Sequence, residues 1–380
     1  MKDFAFTGGR PDPYTFPTDG LIEASAEALR ELGGSLVNYP GDNGFLGMRE
    51  LASIRFERRE DIPLPIDNIS ITSGSMQALD LVLGTFINHG DTVLTEELTY
   101  SGTLGLLRHL KANLVGVPMD YRDGMDIDAL ERILKDLSRQ HIHPKVIYTT
   151  PNHQNPTGAI LSLDRRKHLL ALADEYDLLI VEDDCYGDID FVPNPTPDSL
   201  FKLDRANRVI FVGTFSKILG AGVRQGYFVA RPPYHRMIHE NRWDAGTSAL
   251  ASAIVASFFK KHLDEHLAVT NAAVRAKCRA VIETLASHVS DICTWTKPRG
   301  GLFLWIHLPE TTEMDILDML AAEKKVGFSH GSAFHYQSLP IKCIRLAYAY
   351  CHVDDIPEGI SYLCEAIRGS QVASVGIAAG

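Results

Sequence analysis

"RVIFVGTFSKILGAGVRQGY", residues 208–227, begins as an apolar run suited to a buried strand and then sets Lys217 among small residues, with Arg224 seven positions on. A lysine is ordinarily a surface charge. Just past a buried strand and beside small residues it can be partly desolvated, which favours the neutral amine that attacks carbonyls. Arg224 then offers a charge for an anion close by.

Working outward, the same kind of run recurs as NISITS (68–73), DTVLTEE (91–97), NLVGVPM (113–119), KVIYTTP (145–151), LLIVEDD (178–184) and QGYFVA (225–230), all read as strands. Helix patterns such as SMQALDLVLGTFINH (75–89) and SLDRRKHLLALADEYD (162–177) lie between several of them. This alternation predicts an α/β fold, a large domain with a mostly parallel sheet flanked by helices and ligands at the carboxyl ends of its strands. The glycine- and proline-rich N-terminal segment and the region after about residue 270 read together as a smaller α+β domain. The expected divisions are 1–44, belonging to the small domain and substrate site, 45–270, the large domain, and 271–368, the small C-terminal domain. Residues 369–380 are expected to be a mobile tail.

The chain has 380 residues, 45% of them apolar, enough to bury a large core across two domains. Its opening residues lack a signal-peptide pattern and no run approaches a membrane span, so a cytoplasmic protein without membrane partners is expected. Six cysteines without C-x-x-C spacing argue against a disulfide framework or a cysteine zinc site. With 48 acidic and 37 basic residues the net charge is -11, and no basic cluster marks a nucleic-acid partner.

Other strand ends bear polar groups. ITSGSMQALDLV brings a run to small residues and a helix start near Ser75, either an anion cup or a plain capped helix. YTTPNHQNPTG offers Asn155 in what is otherwise a turn-forming sequence. LLIVEDDCYGD carries Glu182, Asp183 and Asp184 out of a hydrophobic strand, costly unless something positive compensates; a solvated strand end, a metal or a protonated ring nitrogen would each serve.

Taken in order, TSGSMQALDLV, TYSGTLGLL, PNHQNPTG, EDDCYGD and TFSKILGAGVRQGY, with FTGGRPDPYTFP before and IRLAYAY after, resemble the fold-type-I pyridoxal-phosphate aminotransferases of class I/II, most of all the branch of 2-aminoadipate and kynurenine aminotransferases. The resemblance implies a Schiff base between Lys217 and pyridoxal 5'-phosphate, with the same lysine shuttling the substrate proton. It implies Asp183 at the pyridine nitrogen, Asn155 and Tyr186 at the 3′ oxygen and Tyr100 stacked on the ring. Ser75, the Met76 backbone, Thr214, Ser216 and Arg224 would hold the phosphate, joined by Tyr39 of a neighbouring subunit, which implies a homodimer. Arg345 would clamp the substrate carboxylate, and Gly9 and Asn155 would lie beside the substrate. Cys185 and Ala221 stand where relatives commonly have proline. Arg10, less usual in its segment, either faces solvent or recognises an acidic substrate side chain.

Three rival functions follow from other features. HLDEH (262–266) matches a short zinc-peptidase pattern, but the surrounding amphipathic helix is expected to carry it on a charged face. A transcription regulator with an aminotransferase-like sensor is disfavoured by the missing basic footprint and the missing room for a winged helix before FTGGRPDP. A lyase, decarboxylase, racemase or cyclase reaction on the same cofactor is the stronger rival, and transamination between an L-amino acid and a 2-oxo acid is favoured by the branch resembled.

Overall fold

A computed structural model describes residues 2–193 and 196–371. All seven expected runs form one sheet, ordered Asn113–Val117, Thr92–Glu96, Val146–Thr149, Leu179–Asp184, Val209–Thr214, Gly226–Val229 and Ile69–Thr72. The first five are mutually parallel, and Gly226–Val229 is antiparallel to both its neighbours. The central strands are buried along their whole length because helices cover both faces, which is why they read as unbroken apolar runs. Val146, Tyr148, Val181 and Val212 pack on one face beneath the Ser75–Phe86 helix, and Ile147, Ile180 and Phe211 face a separate core on the other.

The smaller unit is a four-stranded antiparallel sheet, ordered Thr294–Trp295, Phe303–His307, Cys343–Ala347 and Ser329–His330. The chain's first described strand, Phe4–Ala5, pairs in parallel with Val326–Gly327 in a separate two-stranded sheet. The boundary expected at 270/271 falls inside a continuous 40-residue helix, Ala249–His288, which packs against helices from both ends of the chain.

Residues 369–371, expected to open the tail, are among the described residues. Gly369 closes the last helix, Ser370 is fully buried, and Gln371 Nε2 donates to Thr312 Oγ1 at 3.0 Å. The rest of the expected mobile tail, 372–380, lies outside the described residues. All six cysteines are free and buried, and no described helix is long and apolar enough to cross a membrane.

Candidate active site

Three acids end the Leu179–Asp184 strand, and the pleat sends alternate side chains to opposite faces. Glu182 accepts the N–H groups of Leu200 (2.9 Å) and Phe201 (2.8 Å) at a helix start, and burial pushes its carboxyl up to about 8. Asp184 pairs with Arg59 at 2.6 Å; burial acts to raise its pKa, but the charge of Arg59 prevails and holds it below the usual range. Asp183 points the other way with only neutral donors: Tyr148 OH to Oδ2 (2.6 Å) and Cys185 Sγ to Oδ1 (3.0 Å). Burial raises its pKa.

Lys217 follows the Val209–Thr214 strand by three residues. Its Nζ donates to the Gly9 carbonyl at 2.7 Å and lies 5.9 Å from the centre of the Tyr186 ring. Desolvation lowers its pKa below that of an ordinary lysine, as the small residues of its segment led one to expect. The adjoining Ile218 carbonyl accepts from His266 Nε2 at 2.6 Å. Half of the HLDEH pattern is thus not on the charged face: His266 is turned into the core to brace the lysine turn, while His262 stays partly exposed beside Glu265. Among the described residues, no cluster of three His, Cys, Asp or Glu side chains could hold a metal.

Next to Asp183 the helix Ser75–Phe86 begins, capped by Gly74 at φ 81° and by no side chain, so its first-turn N–H groups face outward with the positive dipole end. Cys185 Sγ reaches Ser75 Oγ at 3.6 Å. Arg224, itself left-handed at φ 55°, donates to the Ser73 carbonyl, and a Cβ on Gly74 would lie 2.5 Å from its Nη2. The conformation at residue 74 favours glycine, and a side chain there would have to displace the movable end of Arg224. Ser216 N–H donates to Thr214 Oγ1 at 3.2 Å, and the two hydroxyls are 3.0 Å apart. The Met76 backbone is in the first turn of the same helix.

Arg345 comes from the small sheet, opposite Trp305 and Ser329. Its guanidinium sits over Phe303 and Phe334, 4.4 and 4.6 Å from the ring centres. Nη1 donates to Asn155 Oδ1 at 2.8 Å and Nη2 to the Thr7 carbonyl and to Ser329 Oγ at 3.2 Å, while Nε is buried with no partner among the described residues. Burial lowers its pKa to about 10. Asn155 Nδ2 in turn donates to Tyr186 OH at 3.4 Å. Gly9 closes the gap between the two cations: a Cβ there would lie 2.7 Å from Phe303 Cζ and 3.9 Å from Lys217 Nζ.

Tyr100 stands at the start of the Ser101–His109 helix, partly buried, and Gly102 leaves its ring room, since a Cβ there would lie 2.6 Å away. Arg10 is exposed, its guanidinium 3.6 Å from the Tyr350 ring centre, with no ion-pair partner among the described residues. Tyr39 is apart from the cluster: it is 84% exposed, near Val37 at 87%. The sequence reading missed Tyr148, Phe303, Phe334 and the carbonyl of Thr7. A tyrosine or phenylalanine inside an apolar run reads as core, and a backbone carbonyl has no signal at all.

The family description "Aminotransferase class I and II" matches residues 12–367. The chain is 34% identical over 367 residues to aromatic-amino-acid aminotransferase 1 of Thermococcus litoralis, covering 96% of this chain and 88% of that one. It is 33% identical to the 2-aminoadipate transaminase of Thermus thermophilus, covering 96% and 90%. Its fold superposes with a TM-score of 0.92 on the kynurenine aminotransferase of Pyrococcus horikoshii, solved with PMP; identity is 34%, and coverage is 98% of this chain and 92% of that one. The chain belongs to the aminotransferase class I and II family and is a pyridoxal-phosphate-dependent transaminase of fold type I.

Proposed function

We propose that Lys217, Asp183 and Arg345 are the working groups of an amino-group exchange between an L-amino acid and a 2-oxo acid, run as a ping-pong sequence in which the first product leaves before the second substrate binds. The observation that carries this assignment is Asp183, a buried carboxylate left with a phenol and a thiol as its only partners while its neighbour Asp184 has an arginine.

The residues fit pyridoxal phosphate. Asp183 suits a protonated ring nitrogen, because a buried carboxylate without a cation is costly until one arrives. Ser75, the Met76 N–H, Thr214, Ser216 and Arg224 suit a phosphate dianion, at a helix start whose glycine cap leaves the approach open. Asn155 and Tyr186 would face the ring's 3′ oxygen, and Tyr100 its face. When bound, the cofactor supplies an aldehyde and an electron-withdrawing ring that weakens the bonds at the substrate Cα.

Lys217 Nζ, desolvated and held by a single carbonyl, is the nucleophile and the carrier of the Cα proton. Arg345 binds the substrate carboxylate through its free Nε and the adjoining Nη, and so orients Cα–H toward the lysine. Phe303, Phe334 and Tyr186 exclude water from both. Arg10, held against Tyr350, is the cation for an acidic substrate side chain. The exposed Tyr39 supports a homodimer in which it serves the partner's phosphate site. Six free, buried thiols support a reducing, cytoplasmic location.

The test is borohydride reduction of the holoenzyme followed by peptide mass spectrometry, which should find a phosphopyridoxyl group on Lys217. A folded, cofactor-loaded protein modified elsewhere would overturn the assignment. A panel of amino donors with 2-oxoglutarate then reads substrate choice, and Arg10→Ala should lower kcat/KM for acidic donors relative to neutral ones. An unchanged ratio would return Arg10 to the solvent.

A further inference from the structure

The segment Thr7–Asp12 crosses the site as a strap, and three cations meet it. Arg345 donates to the Thr7 carbonyl and Lys217 to the Gly9 carbonyl. The third cation is Lys277, inside the Ala249–His288 helix and outside the site itself. Its Nζ lies 2.7 Å from Asp12 Oδ2 and donates to the Ala349 carbonyl at 2.8 Å. Lys277 is 3% exposed and Asp12 4%, and lysine is almost never that buried unless it is paired. Asp12 Oδ1 also accepts the N–H of Tyr14 at 2.9 Å, and the Tyr14 ring lies 5.4 Å from the ammonium.

The two acceptors of Lys277 belong to the two elements that frame the substrate end of the site. Asp12 ends the strap, three residues after Gly9. Ala349 lies four residues past Arg345 on the same strand extension. One ammonium therefore fixes the spacing between the strap carbonyls and the arginine that faces them.

We propose that Lys277 is a positioning residue for substrate binding: through Asp12 and Ala349 it holds the strap in register with Arg345, so that the Thr7 carbonyl gives way to an incoming carboxylate without the strap leaving the site. This rests on the reading of Arg345 as the carboxylate clamp. Arg345 Nη2 is kept ordered by the Thr7 carbonyl on this tethered segment and by Ser329 Oγ at 3.2 Å, with Nη1 on Asn155 Oδ1. Without the tether the strap must be ordered anew at each binding event, a cost that falls on affinity more than on the chemical step.

The experiment compares the holoenzyme with Lys277→Met, Asp12→Asn and the double variant. It measures KM and kcat for a donor the parent accepts, the cofactor's absorbance, and hydrogen exchange at the amides of residues 6–10. Each single variant should raise KM about tenfold while kcat changes less than about threefold, with faster strap exchange and unaltered absorbance. The double variant should be no worse than the worse single one, because the pair acts as a unit. A lower melting temperature with unchanged KM and exchange would make the pair merely structural and overturn the proposal, as would single effects that multiply. Asp12→Asn keeps the Tyr14 cap and removes only the charge, so it decides the matter should Lys277→Met fail to fold. If the parent itself converts no donor, the carboxylate-clamp reading fails, and strap exchange in Asp12→Asn still tests the tether.

Discussion

At the scale of single residues, the site turns on how Asp183 is kept ready. Its Oδ2 takes the Tyr148 phenol at 2.6 Å, from a strand position two residues short of the sheet's end loop. Tyr148→Phe removes that donor and leaves a buried carboxylate oxygen unsatisfied, a loss of roughly 1–3 kcal/mol. Fluorescence titration of the apoenzyme with pyridoxal phosphate should show affinity lowered about tenfold, with a lower melting temperature. Unchanged affinity would mean that Cys185 alone orients the carboxylate. That the three acids from 182 to 184 needed a compensating partner was legible, because an acid leaving a strongly apolar strand is costly; Asp183 among them was named only by the family resemblance. Tyr148 was not legible, since nothing separates a phenol that serves a carboxylate from one that fills a core. Lys277 was illegible for a related cause: a lysine in a long helix reads as solvated, and its partner is 265 positions away.

At the scale of elements, every expected strand of the large sheet formed, because burial on both faces writes an unbroken apolar run that admits few alternatives. The long Ala249–His288 helix was divided at residue 270 in the sequence reading, but its buried residues keep one face at three- and four-residue spacing from Ala256 to Leu285, so nothing in its periodicity marks a boundary. One short helix holds a titrating device the sequence did not mark. On Tyr234–Glu240, His235 and His239 both reach Ser70 Oγ, at 3.0 and 2.6 Å, with their rings 4.5 Å apart. Burial, then the neighbouring His239 and Arg49, lower the pKa of His235 to about 4; burial and Arg242 lower that of His239, with Asp42, Asp67 and Asp244 opposing. The unfolded chain takes up these protons near pH 6.5 and the folded one refuses them until lower pH. The pair's contribution to stability should therefore fall as pH drops from about 6.5 toward 4 and be constant above that window. Urea midpoints at pH 7.5 and 5 should differ less in His235→Gln than in the parent; an equal difference would remove the pair from the account.

At the scale of the molecule, three of the most exposed large side chains, Val37 at 87%, Tyr39 at 84% and Trp243 at 91%, belong to two segments that line one surface groove or adjoin it. Exposed apolar groups gathered in this way are what the proposed homodimer would cover. Sedimentation should give a dimer, and Trp243→Glu should shift it toward monomer with loss of cofactor. Tyr39→Phe should keep the dimer yet weaken cofactor binding by about three- to tenfold, the worth of one hydrogen bond to a phosphate. A monomeric parent at micromolar concentration would refute the arrangement.

The parallel pairing of Phe4–Ala5 with Val326–Gly327, and the contact of Thr7 with Arg345, also fix an order of assembly. Residues 4–7 cannot find their places until Val326, Gly327 and Arg345 have been made. Contacts of such long sequence separation form late. During synthesis the large sheet can close around Asp183 and Lys217 while the strap hangs loose. A chain halted before residue 345 would present the lysine with neither its cover nor the arginine proposed to bind the substrate carboxylate.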